Sequence, residues 1–121
     1  MPLNAKSQLQ YERDFCDMMH GLGWHAERVA SSGKRQLSVC DAVLFTASAS
    51  YLTEVKATRK VRFVFEDDNN IVGTAQRVGI RGLLAIYFKS SHSSQGKGNW
   101  VFKILNENRT VVNKNDKSDG V

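Results

Sequence analysis

Residues 41–57 read DAVLFTASASYLTEVKA. Two runs rich in Val, Leu, Phe or Tyr, 41–45 and 51–57, flank the small-residue stretch Thr46-Ala47-Ser48-Ala49-Ser50, which predicts a β-hairpin. A strand sends alternate side chains to opposite faces, so Glu54 and Lys56 stand together while Val55 points the other way, into the core. With a four-residue loop at 47–50, Asp41 falls opposite Lys56 and diagonal to Glu54 on their face; a slip of one residue would put it on the other. Two carboxylates and a lysine at one corner of a sheet suit a hard cation. Mg²⁺ prefers oxygen ligands and keeps several waters, so a few carboxylates and a substrate phosphate suffice to bind it. Such a cation lowers the pKa of bound water and stabilises charge on a phosphate, while a nearby ammonium orients or helps deprotonate the attacking water. The chemistry implied is phosphodiester hydrolysis.

Upstream, residues 7–22 have the pattern of an amphipathic helix. Ser7 is placed to cap it, and Tyr11, Phe15, Met18 and Leu22 recur at intervals of four, three and four before Gly21 and Gly23 end it. A short strand at 24–29 follows, then a polar loop at 30–38 with Ser31, Ser32, Gly33, Lys34 and Arg35. Downstream of the hairpin, TRKVRFVF (58–65) interleaves Arg59, Lys60 and Arg62 with apolar residues. Asp67 or Asp68 is placed to cap a second helix over 69–78, with Ile71, Ala75 and Val78 on one face and Gly79 as its stop. Residues 83–88, LLAIYF, form the unbroken apolar run expected of a strand buried on both faces. A polar loop leads to a last strand at 100–105, and the polar stretch 106–121 reads as a frayed tail. The order helix, strand, hairpin, helix, strand, strand implies an α/β fold: a central mixed β-sheet flanked by helices. Residues 1–121 form one domain, its structured core at 7–105.

Charge and cysteine usage narrow the function. Seventeen Lys and Arg against twelve Asp and Glu give a net charge of +5, which favours a polyanionic partner. No apolar run approaches the ~20 residues that span a bilayer. The N-terminal MPLNAKSQLQYERDF has no signal-peptide core, so an intracellular, cytoplasmic protein without a membrane partner is expected. Cys16 and Cys40 lie in different elements with no CxxC pair and read as reduced, mostly buried thiols. His20, His25 and His92 are scattered without ligand spacing. No recognition-helix, zinc-finger or RNA-binding signature is present, which makes the shape of a nucleic acid the determinant rather than its base sequence.

An Asp, twelve residues, then Glu-x-Lys, all after an N-terminal helix, resembles the PD-(D/E)xK nuclease superfamily, whose core is restriction-endonuclease-like. Within it the pattern is most similar to the archaeal Holliday junction resolvases. Those begin with a short helix carrying a Glu-Arg pair, here Glu12-Arg13 in QYERDF. A Gly-aromatic pair follows, here Gly23-Trp24, then an Arg leading into a Ser/Gly loop, here RVASSG from Arg28. The metal-site pair comes next as Asp41 and TEVKAT, and the resemblance runs over roughly 7–105. Two departures stand out: Cys40 replaces the motif's proline, and the loop between Arg28 and Asp41 is longer than usual.

The resemblance implies a junction-resolving, metal-dependent endonuclease acting on branched DNA as a homodimer, with Mg²⁺ as cofactor and Mn²⁺ able to substitute. Glu12, Asp41 and Glu54 would hold the metal with the Val55 carbonyl, and Lys56 would be the catalytic lysine. Ser32, with Ser31 as the alternative, would sit near the scissile phosphate. Arg13 and Arg28 would bind the backbone around the cut. Lys34, Arg35, Arg59, Lys60 and Arg62 flank the predicted site and would take further phosphates, giving affinity without reading bases. Phe63, Phe65, Ile71 and Val72 are candidates for the dimer contact or for the core. Plainer readings compete: Glu12 as a first-turn helix charge, Arg13 and Arg28 as surface arginines, Ser32 as turn chemistry beside Gly33. Two other functions remain open, a different small nuclease of the superfamily and a basic DNA-binding module with structural carboxylates.

Overall fold

The computed structural model describes residues 6–30, 39–90 and 98–121. Along the chain come α1 (Gln8–Gly21), β1 (His25–Arg28), β2 (Ala42–Phe45), β3 (Ser50–Thr58), β4 (Arg62–Glu66), α2 (Ile71–Arg77), β5 (Arg81–Phe88), β6 (Asn99–Leu105) and β7 (Arg109–Asn113). Five strands form one sheet in the order β1-β2-β3-β5-β6, and β4 pairs with β7 in a separate ribbon. β3 and β5 run parallel and the other neighbours antiparallel, so the sheet is mixed, as expected.

β5 lies between β3 and β6, which explains its unbroken apolar sequence. Leu83 and Ala85 face α1 while Leu84, Ile86 and Phe88 face the opposite side, all fully buried. Over the first face α1 packs Phe15 and Met19 against Leu44, Val55 and Leu83. Over the second, Ile71 and Val72 of α2 meet Phe65 and Val112 of the ribbon.

Ser7 caps α1 as expected, its hydroxyl accepting from the Gln10 N–H. The buried stripe, however, is Tyr11, Glu12, Phe15, Cys16 and Met19, and Leu22 is exposed. At the end of the helix the Trp24 N–H donates to the Met19 carbonyl across Gly23, whose φ of +89° lets the chain turn back into β1. α2 starts at Ile71, two residues later than the expected 69. Asn70 is its N-cap, and Asp67 accepts from the Ile71 and Val72 N–H groups. Val78 is exposed beyond the end of that helix, and Val72 takes the buried position instead.

Two expectations are corrected. The hairpin loop is 46–49, not 47–50: Thr46 N–H donates to Ala49 O, and Thr46 Oγ1 accepts from the Ser48 and Ala49 N–H groups. Ser50 therefore joins β3 opposite Phe45. The C-terminal stretch is not frayed. Val112 of β7 is fully buried, Ser118 Oγ accepts from the Phe102 N–H, and Asp119 Oδ2 accepts from the Ile104 N–H, so the tail covers the open edge of β6. Among the described residues no helix is long and apolar enough to cross a membrane.

Candidate active site

β3 positions the site by simple alternation. Val55 is fully buried beneath α1, and Glu54 and Lys56 project to the other face, where Lys56 Nζ lies 3.1 Å from Glu54 Oε2. Asp41 continues the β2 register from just before that strand, its N–H donating to Thr53 O at 2.9 Å. The two-residue difference from the expected register preserves the face and brings Asp41 level with Glu54 rather than with Lys56. Because β2 begins only at Ala42, the polar groups of Val55 lie past the start of its ladder and are taken by side chains. Asp41 Oδ2 accepts the Val55 N–H at 2.9 Å, and Gln8 Nε2 donates to the Val55 carbonyl at 2.8 Å.

Glu12 enters from the buried face of α1. Its Oε1 accepts from Arg28 Nε at 3.1 Å and its Oε2 from Gln8 Nε2 at 3.0 Å. Glu12, Asp41 and Glu54 all line one cavity of about 430 Å³, together with Gln8, Arg28 and Asn69. A second cavity, of about 320 Å³, lies beyond Glu54 and is lined by Lys56, Phe63, Glu66 and Asp68 among others.

The electrostatics express crowding of like charge in a dry corner. Burial raises the Asp41 pKa above the ordinary carboxylate value; the Val55 N–H opposes this and the Glu12 charge adds to it. Burial also raises Glu54, with the Asp41 charge next in size and Lys56 opposing. Both carboxylates are thus short of positive charge. The Cys40 thiol is pushed up to about 11, chiefly by burial, which keeps it protonated at neutral pH and unsuited to nucleophilic or thiolate-ligand roles. Both cysteines are free thiols.

Among the described residues no three His, Cys, Asp or Glu side chains converge closely enough to cage a metal by themselves. The donor set is nonetheless all oxygen: carboxylates facing one cavity, and the Val55 carbonyl that Gln8 of the cavity lining engages. That chemistry fits a hydrated Mg²⁺, which uses one or two carboxylates and retains water, and does not fit a zinc cage.

The expected phosphate-binding residues are spread out. Arg13 is exposed on α1, Arg59 and Lys60 are exposed between β3 and β4, and Arg62 is exposed at the start of β4. Arg28 instead turns onto Glu12. Ser31, Ser32, Lys34 and Arg35 lie outside the described residues. Of the four candidate dimer contacts, Phe65, Ile71 and Val72 are buried in the core and Phe63 packs against it. Sequence reasoning missed Gln8 and Asn69. Gln8 could have been found from its position four residues before Glu12, on the same side of the helix.

No described protein family and no curated protein matches the sequence. Among solved structures the chain is similar to Hjc, a Holliday junction resolvase from the archaeal hyperthermophile Archaeoglobus fulgidus. The TM-score is 0.66 at 19% identity, and 88% of each chain is covered. The two share a fold, which in this chain is a central five-stranded mixed sheet flanked by helices.

Proposed function

We propose that this chain is a metal-dependent endonuclease that cuts four-way DNA junctions and works as a homodimer. The observation that carries this reading is the single cavity onto which Glu12, Asp41 and Glu54 open, with Lys56 paired to Glu54 at 3.1 Å. Three acidic groups gathered in a basic protein are poorly suited to binding a polyanion and well suited to holding a cation against one.

Glu12, Asp41, Glu54 and the Val55 carbonyl are the groups that would hold Mg²⁺ or Mn²⁺. When bound, the cation supplies charge stabilisation at the phosphate and a more acidic water. The protein's own groups do the rest. Lys56 keeps a half-exposed ammonium against Glu54, on the side of the adjoining cavity, where it orients an attacking water and offsets charge on the phosphate. The Val55 N–H fixes the Asp41 carboxylate, and Arg28 fixes that of Glu12. Exposed Arg13, Arg59, Lys60 and Arg62 hold the strands by their phosphates, which selects shape over sequence. Two opposed nicks call for two sites related by a twofold axis, which a dimer supplies.

The test is cleavage of a synthetic four-way junction, a linear duplex and a flap of the same sequence, in Mg²⁺, in Mn²⁺ and in EDTA. Paired nicks confined to the junction, absent in EDTA, are expected, with light scattering giving about twice the 13.6 kDa chain mass. Equal cutting of linear duplex would assign the chain to another kind of nuclease. Tight binding with no cutting in any metal would make it a binding module, and full cutting after exhaustive chelation would end the metal reading.

A further inference from the structure

The amide of Gln8 donates from one nitrogen to two oxygens at once, Glu12 Oε2 at 3.0 Å and the Val55 carbonyl at 2.8 Å. Those oxygens belong to different elements, a helix and a strand, and Gln8 itself lies 47 positions of sequence from Val55. An NH₂ group has two protons, and here one nitrogen serves two acceptors beside the cavity that Gln8 and Glu12 line. Glu12 Oε1 accepts from Arg28, so each oxygen of this carboxylate has a donor of its own.

We propose that Gln8 is a positioning residue that holds Glu12 and the Val55 carbonyl in place and competes with a divalent cation for those two oxygens, so setting the affinity of the site. This rests on the metal-site reading above. Each oxygen keeps a further lone pair, but an N–H aimed at it draws on the same negative charge that a cation would use, so a cation binding there weakens both hydrogen bonds. Gln8 itself is exposed at the first turn of α1, so its side chain has solvent to swing into when displaced. Arg28 does not compete in the same way, because it engages the other Glu12 oxygen.

Competition and ligation predict opposite signs. Gln8→Met keeps the length of the side chain and its helix propensity while removing both donors. Measured by calorimetry with Mn²⁺ on the full chain, its affinity should rise about three- to ten-fold, the equivalent of one net hydrogen bond removed from the competitor. Gln8→Lys restores a donor and adds a positive charge at the same place, and should bind Mn²⁺ about ten-fold more weakly or worse. In EDTA, Gln8→Met should melt below wild type, because Glu12 Oε2 and the Val55 carbonyl lose their donor, and saturating Mn²⁺ should raise its melting temperature by more than it raises that of wild type. Circular dichroism checks that each variant is folded.

Unchanged or weaker Mn²⁺ binding by folded Gln8→Met overturns the competitor role and leaves the metal site standing. Wild type with no saturable Mn²⁺ site, or a site that Glu54→Gln does not weaken, overturns both. Should Gln8→Met not fold, Gln8→Lys binding Mn²⁺ as tightly as wild type is enough to overturn the proposal.

Discussion

The two faces of β3 are built on opposite principles. Toward α1 it presents Tyr51, Thr53 and Val55, none more than 3% exposed, in register with Leu83 and Ala85 of β5. Toward α2 it presents Glu54 and Lys56, in register with Leu84 and Ile86. Full burial of a side chain such as Val55 contributes roughly 1.5–3 kcal/mol, whereas burying Glu54, 7% exposed, costs the carboxylate its water. Neighbours in sequence thus serve different ends. The α1 face holds the strand rigid, and the α2 face gives up part of that stability to keep charged groups at a fixed place on a cavity wall.

The largest effect should come from separating these roles by single substitutions. Asp41→Asn, Glu54→Gln and Lys56→Ala should each lower junction cleavage by about 100-fold or more while leaving the protein folded and able to bind junctions. Leu83→Ala, which empties the α1 side beside Thr53 and touches none of the site groups, should do the reverse, losing about 2–5 kcal/mol of stability and keeping cleavage at temperatures where it remains folded. Single-turnover rates, gel shifts and urea melts read all three quantities. Near wild-type cutting by folded Glu54→Gln would erase the distinction between the faces.

The second effect concerns the ribbon that closes the α2 side. Val112→Ala should cost about 1–3 kcal/mol by urea denaturation, since the side chain is fully buried in one core cluster with Phe65 and Phe88. Deleting 107–121 should cost more, removing β7 and the Ser118 and Asp119 bonds to β6. Wild-type stability in the deletion would mean that the α2 face is closed without the ribbon.

How much of this was legible follows the range of each signal. Period-two alternation placed Val55, Glu54 and Lys56 on the correct faces because it depends only on adjacent residues. The hairpin register was missed by two because Thr46 closes its own turn through its hydroxyl, a detail of side-chain geometry. In α1 the true stripe includes Glu12 and Cys16, so a search for large apolar residues picked Met18 and Leu22 and set the phase wrongly. β4 and β7 were invisible as a pair because the Phe65–Thr110 pairing spans 45 positions and neither five-residue strand carries its partner's address. Glu12 was brought to the site by resemblance, and no periodicity would have done so.

A third effect is the pH dependence of stability in metal-free buffer. Glu54 and Asp41 have raised pKa values in the folded protein, so folding holds their protons more tightly than the unfolded chain does. Between the ordinary values, 3.8 for Asp41 and 4.5 for Glu54, and the raised ones, the native state binds more protons and stability falls as pH rises. The contribution is full below that window and gone above it. Glu54→Gln removes one such group and relieves the repulsion on Asp41, so the variant should gain on wild type as pH climbs through the window and keep the gain at neutral pH. Parallel curves for the two proteins would mean that burial does not disfavour the Glu54 charge.

The smallest effect asks whether DNA lies along one side of β3 or both. Arg59 ends the α1 side, close enough to Tyr11 for its charge to lower that phenol's pKa against a larger rise from burial. Arg62 starts β4, in the ribbon that packs on the α2 side, and is exposed. Removing one arginine–phosphate interaction should lower the slope of log affinity against log salt by about one unit, with little change in where the strands are cut. A junction arm that spans both sides predicts the same decrease for Arg59→Ala and Arg62→Ala, and about twice that decrease for the double variant, since the two interactions are independent. A decrease from Arg62→Ala alone would confine the arm to the α2 side, where Glu54 and Lys56 project, and would leave the α1 side as a purely structural wall. Unchanged slopes in both would remove the segment from the DNA surface. Salt titrations of junction binding in EDTA separate these outcomes without requiring any cleavage, so the result stands whatever the catalytic variants do.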